Sequence, residues 1–340
     1  MAGAVARNRR VMRRPYFYEV FVLVNLAGIV VMTSHLNPVV LGTLPDTLGD
    51  LALQMGAYTL AGVVVRSIVA RWRGGWPEYL RILRSGGWLL DTARLILFAA
   101  LLSHTYFWIK LLVPILNPRD FDQMLWDLDQ RMFFGFAPAV LFADLFSHPL
   151  AMRAIDWSYA KIFIASIALA FAFFLSAPAR RLRVAFMTGT AILWLAGVWL
   201  YLLVPSLGPA FRFPELWIPL ADSLPTTHQL QAALMDNYRR VLQWRDGPSP
   251  DVQLMFGVAA FPSLHVGFQT FAFLWMRRLW IYGEIVFGIF LLTIVIGSVV
   301  TGWHYLIDGV AGALLALVAY VISARLWRIG AWLRLRTATR

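Results

Sequence analysis

Eight apolar runs, each close to the length that crosses a bilayer, occupy most of this chain. They fall at residues 16–33, 51–70, 88–113, 155–176, 184–204, 261–276, 281–301 and 305–326. About 20 apolar residues span the hydrocarbon core of a membrane. In lipid such a run must be helical, because each backbone N–H and C=O needs a partner within the segment. The expected fold is therefore all-α: a polytopic membrane helical bundle with about eight transmembrane helices. Composition supports this, since 60% of the 340 residues are hydrophobic and only 14% are charged. The run at 261–276 is the shortest, and no internal repeat or low-complexity linker is visible.

A net charge of +12 suggests nucleic acid until its placement is followed. With the N-terminus in the cytoplasm, segments 1–14, 71–84, 177–183, 277–278 and 325–340 carry 19 Arg and one acid, Glu78. The opposite segments, 35–50, 114–157 and 205–260, carry seven Arg and thirteen acids. That asymmetry is the positive-inside signal, kept through all eight runs. It predicts a multi-pass cell-membrane protein with both termini cytoplasmic and no nucleic-acid partner. The arginines at 7, 9, 10, 13 and 14 imitate a signal peptide, but no small-residue cleavage pattern follows, so the first run reads as an uncleaved anchor. The absence of cysteine excludes disulfides, thiolate nucleophiles and cysteine-ligated metals.

Between the runs, three features carry expectations. Asp91 and Arg94 are three apart, so a local ion pair is expected. Residues 117–135 place Phe121, Leu125, Leu128, Met132 and Phe133 at helical spacing with acids mainly between them. This reads as an amphipathic helix in the outer interface, with a roof over a site as the other reading. After 201–212, where two prolines and a glycine break the fifth run, a long polar segment follows. Within it Thr227 is placed to cap a helix with Leu230, Leu234, Tyr238 and Val241 on one face. A loop this long is a lid, a binding element or a mobile segment.

Two short motifs carry the chemistry. Ala260-Phe261-Pro262-Ser263-Leu264-His265 opens the sixth run, and Thr301-Gly302-Trp303-His304-Tyr305-Leu306-Ile307-Asp308 joins the last two. One inward and one outward crossing separate His265 from His304, so both lie on the outer side. His304 and Asp308 are four apart and share a face if the last helix has begun there. A carboxylate on one ring nitrogen fixes the tautomer and leaves the other lone pair free to attack. His265 can then protonate the departing oxygen. Ser263 and the amides of residues 262–265, at a helix start, can hold phosphate oxygens. The histidines at 35, 104, 148 and 228 have no such partners in sequence. His265, His304 and Asp308 are also metal-ligand types, but this chemistry needs neither metal nor cofactor.

Pro262-Ser263-Leu264-His265 and His304-x-x-x-Asp308 resemble the second and third signatures of the type-2 phosphatidic acid phosphatase superfamily. Residues 259–265 and Pro205-Ser206-Leu207-Gly208-Pro209 are similar to its inositol phosphorylceramide synthase branch. Asp122-x-x-Leu125-x-x-Leu128-Asp129-x-x-x-Phe133-Phe134-Gly135 resembles an upstream signature of related bacterial proteins. The resemblance covers roughly residues 115–325. It implies His304 as the nucleophile forming a phosphohistidine, Asp308 as its orienting acid, His265 as the general acid and Ser263 as a phosphate contact. It also implies a six-helix phosphatase-like core.

The chain departs from the phosphatase pattern at Tyr201, Gly208 and Ser298, where the family pattern has Lys, Arg and Arg. The phosphate still needs cations. Arg212, beside the proline turn, is the favoured replacement; Lys110, Lys161, Arg119 and Arg131 are the others on the outer side. The expected organisation is an accessory transmembrane pair at 1–84, a catalytic six-helix core at 85–327 and a basic cytoplasmic tail at 328–340. The expected activity is phosphotransfer or phosphate removal on a membrane lipid substrate, with an extracytoplasmic active site. Simple lipid-phosphate hydrolysis is the first alternative. A transporter or flippase is the alternative of another class.

Overall fold

A computed structural model describes residues 15–34, 44–244 and 252–337, with side chains through residue 328. The first arginine cluster, His35 and the end of the basic tail lie outside the described residues. Helices α1 (Phe17–Met32), α2 (Leu44–Trp72), α3 (Trp76–Leu83) and α4 (Gly86–Leu116) come first. Then follow α5 (Asp122–Met132), α6 (Pro138–Leu145), α7 (Pro149–Leu175) and α8 (Arg180–Leu203). Two single turns, α9 (Pro209–Arg212) and α10 (Pro214–Trp217), lead to α11 (Pro225–Gln243). The chain ends with α12 (Leu264–Leu279), α13 (Ile281–Val300) and α14 (Leu306–Thr337). No strand occurs among the described residues.

All eight expected runs are helical. Six are long and apolar enough to cross a membrane: α2, α4, α7, α8, α13 and α14 up to Arg328. The apolar α1 is shorter. Helix α12 has 16 residues, about 24 Å at 1.5 Å per residue, which is less than the hydrocarbon thickness. Apolar side chains such as Leu53, Leu60, Val65, Ile164, Ile289, Leu292 and Leu314 remain exposed on these helices, as lipid-facing surfaces require.

The chain forms two compact units, each assembled from separated segments. One comprises residues 1–105, 169–191 and 323–340. Its helix α1 buries Tyr18, Val22 and Ile29 along one face. Helix α2 buries Leu51, Met55, Thr59 and Gly62. At Gly62 even a methyl group would fall 1.9 Å from the Ala172 carbonyl oxygen. The expected Asp91–Arg94 pair does not form. Arg94 instead reaches Glu19, with Nε 2.7 Å from Oε1, and Arg180 Nε lies 2.8 Å from Asp91. A one-turn ion pair is weak, and buried partners on neighbouring helices give better geometry.

The other unit comprises residues 106–168 and 192–322. Here α12 and α14 approach closely through glycine. A Cβ on Gly312 would fall 2.1 Å from the Ser263 carbonyl, and one on Gly267 would fall 3.0 Å from the Gly312 carbonyl. Ser263 caps α12 by accepting Val266 N–H, while its own N–H donates to the Asp308 carbonyl at 2.9 Å. The starts of the two motif-bearing helices are thereby tied together.

Helix α5 does not present the apolar face expected of it. Asp122, Leu125 and Asp129 are buried, whereas Leu128 and Met132 are exposed. The aspartates turn inward because each meets two backbone donors. Asp122 accepts Leu207 N–H at 2.7 Å, Gly208 N–H at 2.8 Å and the Tyr305 hydroxyl at 2.8 Å. Asp129 accepts Leu306 and Ile307 N–H at 2.7 and 2.8 Å, closing the amino end of α14. Thr227 is likewise not a cap. It lies inside the first turn of α11, where Asp156 of α7 accepts Thr226 and Thr227 N–H at 2.9 and 2.8 Å. These N–H groups have no intrahelical partner, so carboxylates satisfy them and favour the positive helix end.

Candidate active site

The two histidines meet. His265 Nδ1 lies 3.1 Å from His304 Nε2, so the amino end of α12 and the turn before α14 deliver their imidazoles to one point. The other nitrogen of His304 fixes its tautomer. Nδ1 is 3.0 Å from the Ala260 carbonyl and 3.5 Å from Asp308 Oδ2. A carbonyl only accepts, so Nδ1 carries the proton and Nε2 holds the lone pair. The direct hydrogen bond goes to Ala260; Asp308 stands one step back as a carboxylate beside the ring. Asp308 Oδ2 also accepts Tyr305 N–H at 2.9 Å.

His304 is 3% exposed. Burial, and then the Lys110 cation, push its imidazole down to about 3, against the pull of the Ala260 carbonyl. It is neutral at physiological pH, the form a nucleophile needs. His265 packs its ring against Phe163, with centroids 4.1 Å apart, and against Tyr159 at 5.8 Å.

The supporting loops hold one another by backbone. Ser206 accepts twice: its carbonyl takes Ala260 N–H at 2.9 Å, and its hydroxyl takes Phe261 N–H at 3.0 Å. Ala210 N–H donates to the Gly302 carbonyl at 2.9 Å. Gly208 has φ +104°, and a Cβ there would sit 2.5 Å from the Trp303 carbonyl. Any other residue would both strain this turn and push the His304 loop away.

A cavity of about 350 Å³ opens onto both histidines. Its walls include Phe107, Phe163, Ile164, Ile167 and Trp194, with Leu230 and Leu234 of α11 and Met255 beyond it. Among the described lining residues Lys110 is the sole Lys or Arg, and no Asp or Glu lines the space. Lys110 Nζ lies 5.7 Å above the ring of Tyr201 and 6.0 Å from that of Tyr106. Tyr201 occupies the position where the phosphatase pattern has its lysine, so α4 supplies an ammonium beside the residue that replaced one.

Of the residues singled out in sequence, His265, His304, Asp308 and Lys110 converge. Ser263 is buried and occupied as the cap of α12. Arg212 is exposed, 3.8 Å from Asp120 and 5.4 Å from the Phe213 ring centroid, and does not line the cavity. Lys161, Arg119 and Arg131 are exposed and do not line it either. The long polar segment after α8 supplies α11, pinned by Gln231 Nε2 donating to the Thr301 carbonyl at 3.0 Å.

Sequence reasoning passed over the structural roles of Asp122, Asp129 and Asp156. For the first two a signal was present: positions 122, 125 and 129 fall on one helical face. Burial pushes the Asp122 carboxyl up to about 6, against three hydrogen bonds that favour its charge. Burial also raises Asp129, opposed by the two α14 amides. No three His, Asp or Glu side chains among the described residues converge as a metal-ligand set.

The family model of the PAP2 superfamily matches residues 123–322, which takes in both histidine motifs, the proline turn and most of α5. No curated protein and no solved structure matches the chain. The chain belongs to the PAP2 superfamily, a family of phosphatase- and phosphotransferase-type lipid enzymes.

Proposed function

We propose that this protein is a lipid phosphotransferase that moves a phosphorylated headgroup between lipid substrates through a phosphohistidine on His304, in the manner of inositol phosphorylceramide synthases. The observation that carries this reading is the lining of the cavity. Two imidazoles, the Lys110 ammonium and a few tyrosine and threonine side chains face a mostly apolar space of about 350 Å³. Lys110 supplies counter-charge for a phosphate, and the apolar walls leave room for both ester substituents of a phosphodiester. The apolar walls suit an acyl chain.

In the first half-reaction His304 Nε2 attacks phosphorus and an N–P bond forms. The P–O bond to the departing alcohol breaks, and His265, which takes up a proton on substrate binding, gives that oxygen its proton and is left neutral. In the second half an incoming hydroxyl attacks, passes its proton to His265 and breaks the N–P bond. Nδ1–H of His304, held by Ala260 and facing Asp308, lets the ring bear positive charge while bonded to phosphorus. The resting His265–His304 hydrogen bond occupies the attacking nitrogen, so substrate entry must part the pair. Lys110 supplies the charge that stabilises the phosphoryl oxygens. The positive-inside charge distribution supports an extracytoplasmic site and both termini in the cytoplasm.

The test is a screen of purified protein against lipid phosphodiesters and lipid phosphomonoesters, with and without an alcohol-bearing lipid acceptor. Acceptor-dependent headgroup transfer from a phosphodiester is expected. Release of phosphate from monoesters with no transfer would make the protein a simple lipid-phosphate phosphatase. His304→Ala should abolish the acid-labile phosphoenzyme. His265→Ala should still react with an activated aryl phosphate, whose leaving group needs no proton.

A further inference from the structure

Tyr159 lines the reaction cavity from α7 and is 6% exposed. Its hydroxyl is buried and has no hydrogen-bond partner among the described residues. A buried, unsatisfied hydroxyl is destabilising, and phenylalanine would fill the same volume without that cost. The ring itself is seated with care. It packs with Val266 and Ile294. Gly297 of α13 leaves room for it, since a Cβ there would fall 2.7 Å from Tyr159 Cδ2 and 2.8 Å from its Cβ. The fold therefore fixes the ring beside His265 yet leaves its one polar atom unused. The hydroxyl is neutral at physiological pH and can donate one proton, and the groups an incoming phosphate brings are acceptors.

We infer that the Tyr159 hydroxyl is a substrate-contacting hydrogen-bond donor, taking a non-bridging phosphoryl oxygen when phosphate parts the histidine pair. This rests on the phosphotransfer reading above. The chain lacks the pattern's arginines at 208 and 298, and Lys110 alone cannot reach every phosphoryl oxygen. A neutral donor adds a hydrogen bond without adding charge. In the transition state the phosphoryl oxygens carry the developing charge, and a hydroxyl uncovered as the histidine pair parts can donate to them.

Tyr159→Phe separates this role from a structural one, because the two predict opposite signs. The variant should unfold at the same temperature as the wild type or higher, since an unpaired polar atom is removed. Its kcat should fall about 100-fold with KM within about threefold. Orthovanadate, a phosphate analogue, should protect the wild type against thermal unfolding, and its affinity for Tyr159→Phe should be at least about tenfold weaker. A lower melting temperature for the variant would mean that the hydroxyl has a structural partner, and would overturn the inference. Normal turnover, or unchanged vanadate affinity, would overturn it as well. A wild type that transfers no phospholipid headgroup, yet binds vanadate through Tyr159, would instead reject the lipid-transfer reading and leave Tyr159 as an anion ligand.

Discussion

The two compact units fasten their buried charges in different ways. In the unit built from residues 1–105, 169–191 and 323–340, acids meet arginines: Glu19 with Arg94, and Asp91 with Arg180. These pairs join one helix to another. In the unit built from residues 106–168 and 192–322, Asp122, Asp129 and Asp156 have no Lys or Arg partner among the described residues and grip backbone N–H groups instead. Those grips fall on the proline turn and on the starts of α14 and α11, the segments that frame the cavity. A side-chain ion pair fixes helices, whereas a carboxylate on helix-terminal amides fixes a loop.

The comparison breaks first at Lys110. Lys110→Met should lower kcat/KM by about 100- to 1000-fold, since the cavity loses its only described cation. Arg212→Ala, altering a cation on the exposed surface, should stay within about threefold. A steady-state assay that ranks them the other way would move the phosphate clamp to the proline turn.

Asp129→Asn keeps one acceptor for two amides. It should cut kcat about 10-fold or more while KM changes little, because the His304 turn loses its register and the cavity keeps its walls. A lowered melting temperature with unchanged kcat would make Asp129 a purely structural cap.

The pH profile sharpens the same point. With His304 pushed down to about 3, the nucleophile stays neutral from pH 8 to pH 5. Asp122, pushed up to about 6, takes a proton within that range as pH falls and becomes a poorer acceptor for Leu207 and Gly208. A few-fold loss of kcat/KM below about pH 6 is therefore expected. Asp122→Asn should flatten it. A limb that persists in that variant would assign the proton elsewhere.

The smallest effect on catalysis belongs to the other unit. Glu19→Gln should cost about 1–2 kcal/mol of stability, because the half-buried Arg94 loses its ionic partner. Turnover per folded molecule should stay within about twofold. A comparable loss of kcat would show that the arginine-paired unit also shapes the reaction.

The helices were legible in sequence because bilayer length and apolar content are local properties: all eight runs are helical, and six have the full spanning length. The meeting of His265 with His304 was legible too, since two crossings of known length return the chain to the same side. Which cation faces the histidines was not. Arg212 is next to the proline turn in sequence, and Lys110 is 95 residues before Pro205, where that turn starts. Only the packing of α4 against α8, with Tyr106 against Trp194 and Tyr201, brings the lysine to the cavity. The face of α5 was misread for a related reason. Acids between apolar positions imply a solvated face unless buried donors await them, and the unpaired amides of residues 207–208 and 306–307 exist only once other helices end there. Sequence alone thus determined the helical membrane fold and the meeting of the two histidines, because hydropathy and segment length are written along the chain. Tertiary structure decided the tautomer of His304, the cation beside it and the orphan hydroxyl of Tyr159, because hydrogen bonds and charge pairs depend on atoms distant in sequence.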